Sequence, residues 1–307
     1  KNNMQKERWN STNIPGQEGK IVIVTGSSSG IGCEAVRVLA NKKAKVILAV
    51  RNLGKGKAAE EKIRNQNPNV EIKIMLLDLA DLHSVCDFAE NFTCEFNKLH
   101  MLINNAGVMI PPYSKTKDGF ELQVGTNHLG HFALTALLFD LIQTTPNSRI
   151  VNVSSTAHKY GNINFDDINW EKRNYKAWRA YGDSKIANLY FTYFLKFQLE
   201  KAGSNVKVTA AHPGWTATDL QRYSTTFRFL NKFFAQSLKM GALPILRAAT
   251  DPEAQNGDYF GPSGWQEWHG YPVKVGPNKL SRDMGIAQKL WGVSEELTKI
   301  KFEIKGN

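Results

Sequence analysis

Ile21-Val22-Ile23-Val24-Thr25-Gly26-Ser27-Ser28-Ser29-Gly30-Ile31-Gly32 is the stretch that decides the fold. The β-branched run reads as a buried strand, and the residues up to about 41 read as a helix. Between them lies a glycine turn. Glycines let the backbone turn tightly and let a bulky ligand approach, and a helix N-terminus offers free N–H groups to a diphosphate. The spacing Gly-x3-Gly-x-Gly departs from the common dinucleotide fingerprint, and a ligand-free turn is the plainer alternative. The strand–turn–helix context favours a nucleotide, with Gly26, Ser28, Ser29, Gly30, Ile31 and Gly32 as its candidate contacts.

Outward from this stretch the pattern repeats. Strands are predicted over 45–50, 70–77, 101–103, 149–153 and 206–211. Helices are predicted from the second strand to about 67–68, then over 81–96, 127–143 and 179–201. Such alternation predicts an α/β fold: a single Rossmann-like, doubly wound parallel sheet with helices on both faces. No Pro/Gly/Ser-rich linker or internal repeat divides the 307 residues, so 1–19 is expected as an N-terminal extension and 20–307 as one domain. Ligands of such sheets sit outside the carboxyl ends of the strands.

The formal charge of +11 suits a soluble enzyme, with attraction to anionic nucleotides or to a membrane surface as sharper readings. Lys and Arg are spread along the chain without the clustered stripe that nucleic-acid binding needs, so no nucleic-acid partner is expected. Cys33, Cys86 and Cys94 show no CxxC or metal spacing and fall in apparent helices, as reduced thiols of an intracellular protein would. No apolar run reaches membrane-spanning length and the first twenty residues are polar. The expected location is therefore cytoplasmic, or peripheral on an intracellular membrane.

The chemistry clusters at the predicted strand ends. Arg51 follows the second strand, nineteen residues after Gly32, where an acid would bind a ribose 2′-hydroxyl and an Arg accommodates a 2′-phosphate. This favours NADP(H), with NAD(H) as the alternative. Asp78 ends the third strand, either facing an adenine amino group or capping the next helix. Asn104-Asn105-Ala106-Gly107 follows the fourth, with residues small enough to pass close to a cofactor. In Tyr181-Gly182-Asp183-Ser184-Lys185, Tyr181 and Lys185 stand one helical turn apart. A phenol titrates near ~10, and a nearby ammonium favours the phenolate, so the pair is a plausible acid/base unit. His128 and His131 share helical i, i+3 spacing, but no third ligand accompanies them; a structural pair is expected and no metal.

Thr25-Gly26-x3-Gly30-x-Gly32, Asn104-Asn105-Ala106-Gly107, Ser155, Tyr181-x3-Lys185 and Pro213-Gly214 occur in the order seen in short-chain dehydrogenases/reductases. The resemblance covers about residues 20–262. Asn127-His128-Leu129-Gly130-His131-Phe132 and Val151-Asn152-Val153-Ser154-Ser155-Thr156-Ala157-His158 resemble the retinol-dehydrogenase-like group, which includes relatives of protochlorophyllide reductase. The resemblance implies Tyr181 as general acid/base, Lys185 lowering its pKa and holding the nicotinamide ribose, Ser155 on the substrate oxygen, and Asn127 holding a relay water. Between the adjacent Ser154 and Ser155, the group's pattern selects Ser155. The resemblance further implies cofactor contacts from Asn52, Leu79, Asn105, Ala106, Gly107, Pro213, Gly214, Thr216 and Thr218.

The resemblance also implies a carbonyl/alcohol oxidoreductase acting on a hydrophobic substrate, retinal-like, steroid-like or another apolar aldehyde or ketone. Homo-oligomers are common in the family. Residues 219–245 would form a substrate lid, where Phe227, Leu230, Phe233, Phe234 and Leu238 recur at near-helical spacing beside basic residues. That segment also reads as a membrane-surface helix or as ordinary core packing. The long interval 158–179, with Trp170, Tyr175 and Trp178, reads as a pocket wall or a surface excursion, and the cluster Trp265, Trp268, His269 and Tyr271 as a pocket border or subunit contact. Reduction of an activated C=C bond is an alternative that uses a cysteine near the substrate, and all three cysteines are expected away from the pocket. A nucleotide sensor without chemistry is another, although such proteins usually lose the Tyr or Lys present here.

Overall fold

The computed structural model describes residues 8–216 and 236–306. Strands β1 (Ile21–Thr25), β2 (Lys45–Val50), β3 (Glu71–Leu76), β4 (Met101–Asn104), β5 (Arg149–Val153), β6 (Lys207–Ala211) and β7 (Tyr259–Pro262) pair in parallel. A short β8 (Pro272–Lys274) runs antiparallel to β7, giving the order β3-β2-β1-β4-β5-β6-β7-β8. The chain winds outward from β1 to β3, then crosses back to place β4 on the other side of β1. The helices that follow β1 and β4 therefore pack on opposite faces of the sheet, and the carboxyl ends of these two strands are where a ligand fits.

Helices α1 (Gly30–Asn41) and α2 (Leu53–Arg64) pack on one face, and α3 (Leu82–Glu95) on the other. A single turn α4 (Leu122–Val124) leads through a widened π-turn (Gly125–Leu129) into α5 (Gly130–Thr144). Then come α6 (Ala177–Lys201), α7 (Leu238–Thr250) and α8 (Met284–Thr298). Strand residues alternate between the two layers. Val22 and Val24 join α1, α2 and α7, while Ile23 joins α3, α5, α6 and α8. Both faces are covered, which explains the unbroken apolar strands. Trp9 and Ile14, ahead of β1, are also buried in the α1–α7 layer.

Several boundaries differ from the sequence reading for local reasons. The helix expected to reach 67–68 stops at Arg64, whose guanidinium donates to the carbonyls of Val70 (2.9 Å) and Ile72 (3.2 Å) and turns the chain toward β3. The helix expected from residue 127 has its first turn at Leu122, because the buried Glu121 carboxylate accepts from the Gln123 and Val124 N–H groups. Asp78 does not cap α3. Asp81 does, accepting from His83 N, while Asp78 accepts from Ala80 N. Of the expected lid, residues 219–235, including Phe227, Leu230, Phe233 and Phe234, lie outside the described residues. From Gly241 onward α7 is core helix, since Ala242, Ile245, Ala248 and Ala249 pack under the sheet.

The outer surfaces of α5 and α6 are closed by α8 and the C-terminal strap. Phe132, Phe191, Phe194, Trp291 and Phe302 form one aromatic cluster there, with Phe302 stacked on Trp291 at 4.7 Å. Replacing a buried aromatic by Ala removes its contacts and leaves a cavity. Phe302→Ala is expected to lower unfolding free energy by about 3–5 kcal/mol in urea titrations, whereas Phe197→Ala, at the half-exposed Phe197, should cost about 1 kcal/mol or less. Equal losses would show that the strap is not part of the core.

Candidate functional site

The site begins where β1 ends. The buried Thr25 hydroxyl accepts from the N–H groups of Asn105 and Ala106, both at 2.9 Å, and lies 2.8 Å from His131 Nε2. His131 Nδ1 stands 3.0 Å from the Asn127 carbonyl, which can only accept; Nδ1 therefore carries the proton and Nε2 accepts from Thr25. Burial drops His131 to about 4 and His128 to about 3, so both rings are neutral near pH 7. His128 instead faces Ser294 Oγ at 2.8 Å, and the two histidines serve separate structural bonds.

The turn after Thr25 is a cradle. Gly26 has φ +64°, and a Cβ there would lie 2.8 Å from Ala106. At Gly32 a Cβ would lie 2.5 Å from Asn105 Nδ2 and 2.8 Å from the Gly26 carbonyl. Ser29 precedes α1 without capping it, so the first N–H groups of a twelve-residue helix open onto the cleft. This is the donor set a diphosphate needs. Thr126 Oγ1, buried at the cleft wall, has no hydrogen-bond partner among the described residues. With a volume of about 1400 Å³, the cleft exceeds the usual ~300–1,000 Å³ of a small-ligand pocket. It has room for a dinucleotide and a second molecule.

Arg51, Asn52, Asp78 and Leu79, candidate nucleotide contacts in the sequence, line one end of the cleft. Asn52 also caps α2, its Oδ1 accepting from Lys55 N. Lys55, Lys62 and Arg37 border the same end and were not singled out from the sequence. Lys55 stands four residues beyond Arg51, a spacing that marks it only once the helix start is known. Cys33 also lines this end, away from Tyr181, because the first turn of α1 itself forms the wall. Burial raises its pKa, so the thiol is not activated.

At the other end, Tyr181 is buried and comes up beside Ser155 on the wall of the cleft. Gly182 makes this approach feasible, since a Cβ there would already be 3.0 Å from the Ala157 carbonyl. Ser154 turns away, donating to the Lys185 carbonyl at 2.8 Å. Lys185 Nζ donates to the Val153 carbonyl (3.2 Å) and lies 5.7 Å from the Tyr181 ring centre. A Cβ on Gly107 would be 3.5 Å from that ammonium and 3.1 Å from Asn127 Oδ1. Burial dominates both titrations. It pushes Tyr181 up to about 12, with Ser155 pulling the other way, and Lys185 down to about 8. The expected lowering of Tyr181 by Lys185 is absent from this geometry. Both Asn127 side-chain N–H bonds go to protein acceptors, the Val108 carbonyl (3.0 Å) and Ser184 Oγ (2.9 Å), so they are not what would grip a relay water.

Pro213, Gly214 and Thr216 border the cleft, and Thr218 lies outside the described residues. Met109, Tyr160, Trp178, Trp215, Leu238 and Trp268 complete the wall, the Trp178 ring 6.0 Å from that of Tyr181. The 158–179 segment is thus divided: Tyr160 and Trp178 form wall, whereas Trp170 is buried beneath the Arg173 guanidinium at 3.5 Å. The Trp268 loop is fastened beside the wall. Trp215 N donates to the Trp268 carbonyl (2.7 Å), and Glu267 Oε2 lies 2.7 Å from the buried His212 Nε2.

Residues 20–228 match the family model for short chain dehydrogenases. The chain belongs to that family. It is 41% identical to mouse retinol dehydrogenase 12, over 93% of this chain and 88% of the relative, and 41% identical to human retinol dehydrogenase 11, over 91% and 86%. It therefore falls in the retinol-dehydrogenase-like group. A solved structure of an uncharacterised protein from Mycobacterium Paratuberculosis superposes with a TM-score of 0.83 at 39% identity, covering 97% of this chain and all of that one. A short chain dehydrogenase from Shigella flexneri, solved with NADP, shares the fold at 22% identity and TM-score 0.63, over 79% of this chain and 95% of its own. As a member of this family the protein is an oxidoreductase that interconverts carbonyls and alcohols with a nicotinamide nucleotide.

The buried Lys185 makes a stability test of the site. Its folded pKa of about 8 lies below the ordinary 10.5, so the unfolded chain binds more protons between these values and stability rises with pH there. The cost is full below pH 8 and lifts toward 10.5. Lys185→Met is expected to be more stable by on the order of 1–3 kcal/mol at pH 7, with the gain shrinking toward pH 10.5 in thermal melts. A gain independent of pH would place the lysine's charge in solvent.

Proposed function

We propose that this protein is an NADP(H)-dependent oxidoreductase acting on a hydrophobic carbonyl or alcohol, with Tyr181 as the acid/base. The observation that carries the reading is the buried Tyr181 beside Ser155, both on the wall where the glycine-cradled cleft meets a largely aromatic surface. When bound, the nicotinamide supplies or accepts the hydride. The chain's own residues handle the rest. Ser155 holds the substrate oxygen beside Tyr181. With its pKa near 12, Tyr181 carries its proton at neutral pH, which is the form that protonates a carbonyl oxygen. Lys185 holds positive charge beneath the nicotinamide ribose, and Asn127 ties the Val108 loop to α6. The glycine turn and the N-terminus of α1 hold the diphosphate, with Arg51 and Lys55 at the 2′-phosphate. Met109, Trp178, Trp215 and Trp268 offer apolar surface to the substrate. The names of the retinol dehydrogenases support the same substrate class. Cys33, at the nucleotide end with a raised pKa, offers nothing to a C=C reductase mechanism.

A panel of apolar aldehydes, ketones and alcohols, followed through NADPH absorbance, tests the reading directly. Tyr181→Phe should cut turnover by at least about 100-fold while NADPH affinity stays unchanged. Activity retained in that variant would sink the assignment. Arg51→Ala should weaken NADPH binding by about 10–100-fold and NADH by no more than about threefold, read by fluorescence titration. Equal losses for the two nucleotides would refute the 2′-phosphate reading.

A further inference from the structure

Two amides one helical turn apart hold the same two pieces of chain. Asn127 accepts at Oδ1 from Val108 N (2.8 Å), donates through Nδ2 to the Val108 carbonyl, and reaches Ser184 in α6. Gln123, four residues earlier, accepts at Oε1 from Ile110 N (2.9 Å). Its Nε2 donates to the Ala177 carbonyl, at the first residue of α6, and to Tyr175 Oη, both at 2.8 Å. Tyr175 then donates to Glu121 Oε1 at 2.8 Å, and that carboxylate is itself held by the Gln123 and Val124 N–H groups. Gln123 and Glu121 are both fully buried. Every hydrogen of the Gln123 amide is used.

What these bonds restrain is unusual. Ile110 sits at φ +52°, a left-handed conformation that a β-branched residue rarely adopts and that surrounding contacts must enforce. The residues adjacent to the two clamped positions, Met109 beside Ile110 and Trp178 beside Ala177, line the cleft near Tyr181. Gln123 touches neither nucleotide cradle nor acid/base pair, yet it fixes both walls.

We infer that Gln123 is a positioning residue for substrate selection: braced by Tyr175 and Glu121, it locks the 108–110 loop to the first turn of α6 and so sets Met109 and Trp178 in the cleft wall. The selectivity part rests on the carbonyl/alcohol reading above; the mechanical part does not. Amide hydrogen exchange by NMR tests the mechanical part in the folded, full chain without turnover. In Gln123→Leu the Ile110 amide should exchange at least about tenfold faster while the Val108 amide, still held by Asn127, keeps its protection. Kinetics test selection with slim straight-chain aldehydes against bulky cyclic ketones. The wild-type preference should fall by about tenfold through KM, with NADPH affinity within about twofold of wild type. Wild-type exchange at Ile110 with unchanged preference overturns the proposal, as does a uniform rise in exchange across the sheet. Tyr175→Phe removes only the bracing hydroxyl and serves if Gln123→Leu does not fold; wild-type exchange at Ile110 in that variant likewise overturns it. A wild-type protein that turns over no carbonyl refutes the functional reading, and the exchange arm still decides the brace.

Discussion

The loops leaving β1 and β4 cross with no room for a side chain between them, and the site depends on that crossing. Gly26 and Gly32 are the positions where it is tightest, against Ala106 and Asn105. The Thr25 hydroxyl then joins the loops by accepting from two of the amides that pass over it. Because its proton goes to His131, and His131 returns its own to the Asn127 carbonyl, the same hydroxyl anchors the π-turn. One buried oxygen thus relates the diphosphate end of the cleft to the elements that carry Asn127. Charging His131 would break the arrangement, and burial holds it neutral.

A second constraint is electrostatic. Among the described residues no carboxylate is in hydrogen-bonding contact with the buried Tyr181 or Lys185, and desolvation penalises the charged form of both. The phenol is kept protonated and the ammonium is strained toward neutrality. Such a pair costs folding energy and is useful only if positioned groups or a bound partner supply compensation. On the proposed function, a nicotinamide ribose bound there would offer oxygen acceptors to the Lys185 ammonium, which would raise its pKa again. The direction of this coupling makes the cleft a better binder when the lysine is charged.

The sheet and its catalytic edge were legible because they are written in local patterns. Buried parallel strands read as unbroken β-branched runs, and the glycine turn, Arg51 and the Tyr181–Lys185 spacing each sit within a few residues of a predicted strand end or helix face. What was not legible depends on partners distant in sequence. Asp78 and Asp81 are equivalent as cap candidates until the chain shows which one faces His83 N. Glu121 is an atypical cap residue, and the π-turn has no periodic signature, so the helix start fell five residues late. Gln123 drew no notice because its partners, Ile110, Tyr175 and Ala177, are separated from it by 13, 52 and 54 residues.

The distribution of strain divides the cleft into two kinds of surface. On the nucleotide side, the positive-φ positions of the β1 turn are Gly26 and Gly30, where the conformation costs little. Around the other end, beside Gly214 and Gly270, they include Ile110, Gln266 and Glu267, residues for which the left-handed region is unfavourable. Two of them are held by specific bonds: Ile110 by Gln123, and Glu267 by His212 and Lys159. A cradle built from glycine accepts one invariant ligand feature, the diphosphate, with little to adjust. A wall built from strained residues under tension from buried polar partners can be reset by changing those partners alone, without touching the proton-handling residues. On the proposed function, the fold therefore separates what must stay constant, hydride and proton positioning at Tyr181, from what can vary, the shape of the surface offered to the substrate.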